Sequence, residues 1–183
     1  MQRIRTTLVA AALAWLAAAS ALAAPIAYTG LSVSFEKPSG ADHTLAENQD
    51  AISASVVVTR GPTQGLFNNA LESGYALGSP AGTRWAFTLN NPGRVVSADN
   101  FASLTFANWQ DAVLRNPSNA VGVAGVLHLV AEDIYLDIRI TSWDQRVGGG
   151  FSYVRASIPE PSLAALLAVS AAGAALRRAR RAR

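Results

Sequence analysis

The residues Ile134-Tyr135-Leu136-Asp137-Ile138-Arg139-Ile140-Thr141-Ser142-Trp143 form the clearest structural pattern in this chain. Aliphatic residues occupy every second position from 134 to 140, with polar or aromatic residues between them. Successive side chains of a β-strand point to opposite faces, so this alternation predicts a strand with one buried and one wetted face. The stretch therefore indicates a β-sheet that covers a core on one side.

The segment before this strand predicts its hairpin partner. In residues 123–130, Val126 and His128 fall on one face of a predicted strand, and Leu127 and Leu129 fall on the other. A turn through residues 131–133 would join the two strands. We expect an antiparallel pair.

Similar short segments recur along the chain, rich in β-branched and aromatic residues and bounded by Gly, Pro, Asn, Asp and Ser. They predict further strands at residues 27–36, 52–60, 84–89, 103–109 and 151–157. About seven strands in this arrangement predict an all-β fold, an antiparallel β-sandwich of jelly-roll-like form. Residues 66–72 and 111–119 favour short helical turns or structured loops, with Pro117 ending the second, and residues 148–150 predict a glycine turn or bulge.

The two ends of the chain have different compositions from its middle. Residues 1–23 carry Arg3 and Arg5, an apolar run over residues 8–19 and the sequence Ala21-Leu22-Ala23. This order predicts a helical secretory signal peptide cleaved after Ala23 by signal peptidase. An uncleaved signal anchor is the alternative.

The C-terminal 26 residues have three parts. Residues 158–161 contain Pro159, Glu160 and Pro161, residues 162–176 are predominantly apolar, and residues 177–183 contain five arginines: Arg177, Arg178, Arg180, Arg181 and Arg183. A helix over residues 162–176 would reach about 22 Å, which is short of the roughly 30 Å hydrocarbon core of a bilayer. The arginines would stop that helix at the cytoplasmic face. The two prolines disfavour helix just before it and keep that segment extended.

These three parts resemble the sorting signal of bacterial PEP-CTERM proteins. The resemblance implies that exosortase, a membrane-embedded transpeptidase-like enzyme, reads the motif, and that the chain is a membrane-held intermediate before it reaches the cell surface or extracellular matrix. It also implies exopolysaccharide as a partner. A permanent tail anchor, or a basic helix lying on anionic lipid, is the alternative.

Residues 24–157 form the predicted ectodomain, which is weakly acidic. Eight of the 15 basic residues and 11 of the 12 acidic residues lie in it, so its formal net charge is −3, although that of the whole chain is +3. Its basic residues are scattered, which argues against nucleic-acid binding. The chain contains no cysteine, which excludes disulfides and thiolate metal sites. About 133 residues suit one domain with one core.

The ectodomain resembles uncharacterised exported bacterial all-β proteins over most of residues 31–157. The similarity lies in residues 133–143 and 148–155, and in Glu47-Asn48-Gln49-Asp50, Thr59-Arg60-Gly61 and Gly65-Leu66-Phe67-Asn68. It implies a secreted β-module and brings no established activity, cofactor or catalytic residue.

Candidate catalytic residues are few. His43 falls in a polar loop and His128 in a strand, and no nucleophile-elbow motif accompanies either of them. Asp133 and Asp137 would lie about 13 Å apart along one strand face. Glycoside hydrolases need roughly 5–9.5 Å between their carboxyl groups. Solvated positions, or pairing with Arg139 and Arg155, explain these aspartates better.

Two kinds of binding site remain open. Asp42, Glu47 and Asp50 supply oxygen ligands close together in sequence and are weak calcium candidates, although their spacing does not match an EF-hand. Exposed tryptophans can stack on sugars, and Trp109 and Trp143 are the candidates, although we expect two of Trp85, Trp109 and Trp143 to lie in the core. The sequence favours a non-enzymatic exported surface or matrix protein, with a surface carbohydrate-binding module and a secreted hydrolase as alternatives.

Overall fold

A computed structural model describes residues 24–145 and 147–159, and these form a mostly β structure with two sheets. The larger sheet contains β1 (Ile26–Tyr28), β2 (Val33–Lys37), β6 (Thr83–Phe87), β7 (Gly125–Leu129), β8 (Ile134–Trp143) and β9 (Phe151–Arg155). The smaller contains β3 (Asp50–Ala51), β4 (Val57–Arg60) and β5 (Leu66–Asn68). The all-β prediction is confirmed for this part of the chain.

The ten-residue strand β8 organises the larger sheet. On one side it pairs with β7 in an antiparallel register that sets Leu127 opposite Leu136. On its other side the first residues pair with β1 in parallel, and the later residues pair with β9 in an antiparallel register. β2 and β6 extend the sheet beyond β9 and β7, giving the order β2-β9-β8-β7-β6. One long strand therefore touches three others.

The alternation in β8 has the predicted effect on burial. Leu136, Ile138 and Ile140 are buried, whereas Arg139 and Thr141 are exposed. The predicted hairpin between β7 and β8 is also present, and Asp133 in its turn has a positive φ of 52°. The period of two in the sequence therefore reports the inner face of the sheet directly.

The main core receives side chains from both sheets. Val58 and Leu66 of the smaller sheet join the same buried cluster as Leu127, Ile138 and Tyr153 of the larger sheet. Complete burial of each aliphatic side chain stabilises the fold by about 1.5–3 kcal/mol. A second, smaller cluster on the opposite side of the larger sheet consists of Ala86, Val96, Ala98 and Val126. The larger sheet is thus covered on both faces along part of its length.

Two local predictions were wrong, and a third was right only in part. Residues 103–109 do not form a strand: Ala107 makes one isolated bridge to Trp85, and Trp109 begins the short helix α1 (Trp109–Ala112). In residues 66–72, Leu66–Asn68 form β5, and the predicted turn follows it, with the N–H groups of Leu71 and Glu72 donating to the Asn68 carbonyl. Pro117 begins a 3₁₀ helix (Pro117–Ala120) instead of ending one, since a first helical position needs no backbone N–H.

Other strand boundaries also differ from the prediction. Residues 27–36 divide between β1 and β2, and only Val57–Arg60 of residues 52–60 forms β4. Two further 3₁₀ helices occur, at Ala46–Asn48 and Ala98–Ser103.

Both predicted targeting segments lie outside the described residues, except for residues 158 and 159. No helix within residues 24–145 and 147–159 has the length and apolar character needed to cross a membrane.

Candidate ligand-binding cleft

A buried ion pair joins the two sheets. Arg155 of β9 donates from Nε and Nη2 to the two carboxylate oxygens of Asp50 in β3, at 2.7 and 2.8 Å. The hydroxyl of Tyr153 donates to the same carboxylate at 2.7 Å. Tyr153 is fully buried, and its burial raises its pKa well above the usual range, with the Asp50 charge adding to the rise. The three side chains form a structural clamp between the sheets.

This clamp includes Asp50, one of the three calcium candidates. Both Asp50 oxygens already accept hydrogen bonds from Arg155. Asp42 accepts from the backbone and hydroxyl of Thr44, and Glu47 is exposed. Within the described ranges, no group of three or more His, Cys, Asp or Glu side chains converges on a metal position. The structure does not bring the three candidates together as a ligand set.

Asp133 and Asp137 do not pair with Arg155, although the sequence had suggested it. Arg155 pairs with Asp50, so it is not the partner of either strand aspartate. Asp137 accepts from the backbone N–H groups of Gly30 and Ala98, at 3.2 and 2.7 Å. It therefore ties two distant loops to β8, which is a structural function.

His128 lies on the outer face of the larger sheet, away from the main core. Its Nε2 is 3.1 Å from the Asp133 carboxylate, and its ring stacks on Tyr135 with centroids 4.1 Å apart. Burial lowers the pKa of His128, against the opposing effect of Asp133. His43, the other histidine, packs edge-on against Phe67. The two histidines therefore lie in separate aromatic contacts.

The sugar-stacking hypothesis concerns the tryptophans, whose burial and contacts the structure gives. Trp85 and Trp109 are fully buried, and Trp143 is half-buried. Trp109 and Trp143 lie side by side, with ring centroids 5.6 Å apart. Both line a surface cleft of about 360 Å³, together with Arg60, Gln64, Tyr75 and Gln110. Clefts of this size suit small ligands.

Different elements supply the walls of the cleft. Arg60 ends β4 and Trp143 ends β8, so one residue comes from each sheet. Trp109 is the first residue of α1, whose N-terminus is capped by Asn108 through a 2.9 Å bond to the Asp111 N–H. The end of one strand in each sheet and the cap of α1 therefore fix the cleft geometry.

Arg60 covers one face of the Trp143 ring. Its Cζ lies 3.7 Å from the ring centroid, a cation–π contact. The guanidinium also donates to the backbone carbonyls of Gln64, Asp144 and Gly150, at 2.7 to 2.8 Å. Burial lowers the pKa of Arg60 to about 10, with Asp144 opposing the shift. A sugar ring cannot stack on that face of Trp143 while Arg60 occupies it.

Two of the residues that line the cleft each carry a polar atom with no partner in the described part of the chain. Trp109 Nε1 and the Tyr75 hydroxyl are both buried and make no hydrogen bond within the described residues. By contrast, Trp85 Nε1 donates to the Thr83 hydroxyl at 2.9 Å. Burial raises the pKa of Tyr75, so its hydroxyl stays protonated and able to donate. Unsatisfied buried polar groups are unusual in folded proteins, and each requires an explanation.

Gly65 allows the Tyr75 ring to enter the cleft wall. A Cβ at position 65 would lie 2.6 Å from Tyr75 Cε2, closer than real side chains approach. The Tyr75 backbone N–H also donates to Gln64 Oε1 at 3.2 Å. The loop after β4 therefore holds the loop that carries Tyr75.

The sequence indicates Trp109 and Trp143 as candidates but does not indicate Arg60, Gln64 and Tyr75 as their neighbours. These residues are far apart in sequence and carry no local motif. Compared with protein-family models, curated proteins and solved structures, the chain matches none of them.

Proposed function

We propose that this protein is an exported, exosortase-processed surface or extracellular-matrix protein that acts without catalysis. The observation that carries the proposal is the order of a Pro-Glu-Pro motif, an apolar run and an arginine cluster in residues 158–183. Signal peptidase would remove residues 1–23, and the weak apolar segment would hold the chain in the membrane. Exosortase would then act at residues 158–161 and deliver the domain to the cell surface or matrix, with exopolysaccharide as a partner.

The carboxylates of the domain support a non-catalytic function. Glu72 accepts from the backbone N–H groups of Asn68 and Ala81, and Glu132 accepts from the hydroxyls of Ser53 and Ser55. Asp50 and Asp137 hold the structural contacts described above. Each of these carboxylates fixes a loop or a sheet contact, which gives it a structural use.

A β-sandwich is the arrangement that we propose for the domain. It is supported by the shared core, to which the smaller sheet contributes Val58 and Leu66, and by the ion pair between Asp50 and Arg155. In a sandwich the inner faces of two sheets interdigitate in this way. The jelly-roll-like form and the flanking signal and C-terminal helices remain part of the proposal.

The sorting proposal predicts a change in mass. When the full chain is expressed in an exosortase-bearing host, the mature protein should lack the arginine tail and appear in the surface or extracellular fraction. Deletion of residues 158–183 should abolish membrane retention, because the apolar run and its arginine stop are then missing. Intact mass spectrometry of each cell fraction measures both effects.

Two controls sharpen this experiment. A Glu160→Ala variant should keep its tail and remain in the membrane, whereas Glu36→Ala, an exposed change in β2, should be processed normally. A mature protein that retains residues 177–183 and has an unaltered distribution would refute the sorting signal and favour a permanent anchor.

A second function, a surface carbohydrate-binding module, is favoured by the cleft. Aromatic rings beside amide side chains, as with Trp109, Trp143, Gln64 and Gln110, are typical of polar small-molecule sites. A glycan array probed with the full chain tests this function, and binding to no saccharide would exclude it.

A further inference from the structure

We infer that the cleft between Arg60, Tyr75 and Trp109 binds the carboxylate of an acidic saccharide. The inference rests on the second proposed function, saccharide binding, and adds the chemical class of the ligand. It follows from three features of the cleft: its unpartnered donors, the charge of Arg60 and its size.

The unpartnered groups require a ligand that accepts hydrogen bonds. An indole N–H can only donate, and the buried Trp109 Nε1 has no acceptor among the residues that the structure describes. The Tyr75 hydroxyl is in the same condition and lines the same cleft. A ligand that brings acceptor oxygens to these donors would satisfy them, and a carboxylate offers two oxygens that only accept.

The charge of Arg60 favours an anion over a neutral hydroxyl. All three of its hydrogen bonds go to backbone carbonyl oxygens. Lys37, also buried, donates to the Gly149 carbonyl and adds a second positive charge nearby. Asp144 opposes this charge but uses its Oδ2 to accept from the Gly150 N–H. A buried guanidinium held by neutral acceptors attracts an anionic group strongly.

The space and the remaining lining suit a sugar. The cleft of about 360 Å³ lies at the lower end of the range for small-ligand sites, which suits one or two sugar rings. Gln64 and Gln110 provide amides that can both donate to and accept from ring hydroxyls. Because Arg60 already covers a face of Trp143, we assign recognition to hydrogen bonds and charge instead of stacking on that face.

The test varies the charge on the ligand, because removing Arg60 would also release three backbone carbonyls. The full chain in mild detergent is titrated with digalacturonate and, separately, with the neutral galactose disaccharide of the same linkage, and binding is followed by calorimetry. Digalacturonate should bind at least about tenfold more tightly, the gain expected of a charge-assisted hydrogen bond. Added salt should weaken only the acidic ligand.

A Tyr75→Phe variant localises the binding. It should weaken digalacturonate binding about tenfold while leaving the melting temperature unchanged or higher, since the Tyr75 hydroxyl has no hydrogen-bond partner among the described residues. Tyr28→Phe in β1 is the control and should bind normally. In ¹⁵N spectra the Trp109 indole signal should move on binding, whereas that of Trp85, already bonded to Thr83, should not.

The outcomes separate the two ideas. Equal binding of both disaccharides would overturn the acidic-ligand inference and leave saccharide binding standing. Binding of neither would overturn both. Tight digalacturonate binding that ignores Tyr75→Phe and does not move the Trp109 signal would place the ligand elsewhere and overturn the inference as well.

Discussion

Replacing Asp50 with alanine is expected to destabilise the folded domain by about 3–5 kcal/mol, because it leaves a buried guanidinium without its counter-charge. Arg155 is only 6% exposed, and two of its hydrogen bonds go to Asp50. The Tyr153 hydroxyl, fully buried, would lose its acceptor at the same time. Urea denaturation of the full chain, followed by tryptophan fluorescence, measures the loss.

A nearby control and a compensated variant isolate the effect. Glu47→Ala removes an exposed carboxylate from the same segment and should change the free energy of unfolding by less than about 0.5 kcal/mol. Combining Asp50→Leu with Tyr153→Phe and Arg155→Met removes all three polar partners, and should recover much of the stability, since an apolar replacement leaves no buried charge. A loss below about 1 kcal/mol for Asp50→Ala would show that the clamp does not hold the sheets together.

The same aspartate shows why the calcium hypothesis could arise from sequence. Asp42, Glu47 and Asp50 are close in the chain, and proximity in sequence is the only signal that one sequence offers for a ligand set. The partner of Asp50 is 105 residues away in β9. Only the pairing of β2 with β9, and the packing of the small sheet on the large one, brings the two together.

The strands that were predicted well are those that bury one face in the core and expose the other to solvent. β8 alternates cleanly because its inner side chains enter the core and its outer ones meet solvent, so the pattern is visible without any partner. Residues 103–109 have similar residue types, but they do not form a strand. At Thr105, side-chain amides, instead of a neighbouring strand, make hydrogen bonds to the backbone. Asn90 and Asn91 donate to the Thr105 carbonyl, and Asn91 accepts from its N–H.

Asn68, the last residue of β5, also makes side-chain hydrogen bonds to backbone groups. Its side chain accepts from the Val57 and Ala70 N–H groups and donates to the carbonyls of Ser55 and Ala81. Such long-range backbone bonding by asparagine satisfies groups that a strand or helix would otherwise pair. Sequence patterns carry no record of it.

The cleft could be predicted only in part for a related reason. Large aromatic residues are visible in a sequence, so Trp109 and Trp143 could be named as candidates. Whether an arginine covers one of them, and whether an indole N–H lacks a partner, depends on contacts across the β4 and β8 ends. Instead of an exposed stacking platform, the structure has a cleft in which Arg60 covers a face of Trp143 and the Trp109 indole lacks a partner within the described residues.

Gly149→Ala is expected to have the second large effect, a loss of about 2–5 kcal/mol in the free energy of unfolding. Gly149 has φ of +64°, and a Cβ there would lie 2.2 Å from the Gly61 carbonyl oxygen. The left-handed backbone alone costs an alanine about 1–2 kcal/mol. The clash is with backbone, which cannot rotate away, so overpacking adds about 1–3 kcal/mol.

Gly93→Ala separates these two contributions. Gly93 has a similar φ of +74°, but nothing lies within 4 Å of its built Cβ, so only the backbone cost of about 1–2 kcal/mol applies. Chemical denaturation of both variants beside the unchanged chain gives the difference. Equal losses would mean that the glycine turn does not pack against Gly61. A larger loss at Gly149 would show that close backbone packing, in addition to the positive φ, requires glycine there.

The glycine turn also helps to position Arg60 in the cleft. Lys37 donates to the Gly149 carbonyl, and Arg60 donates to the Gly150 carbonyl. Gly149→Ala should therefore disturb Arg60 as well as the fold, whereas Gly93→Ala should leave the cleft intact.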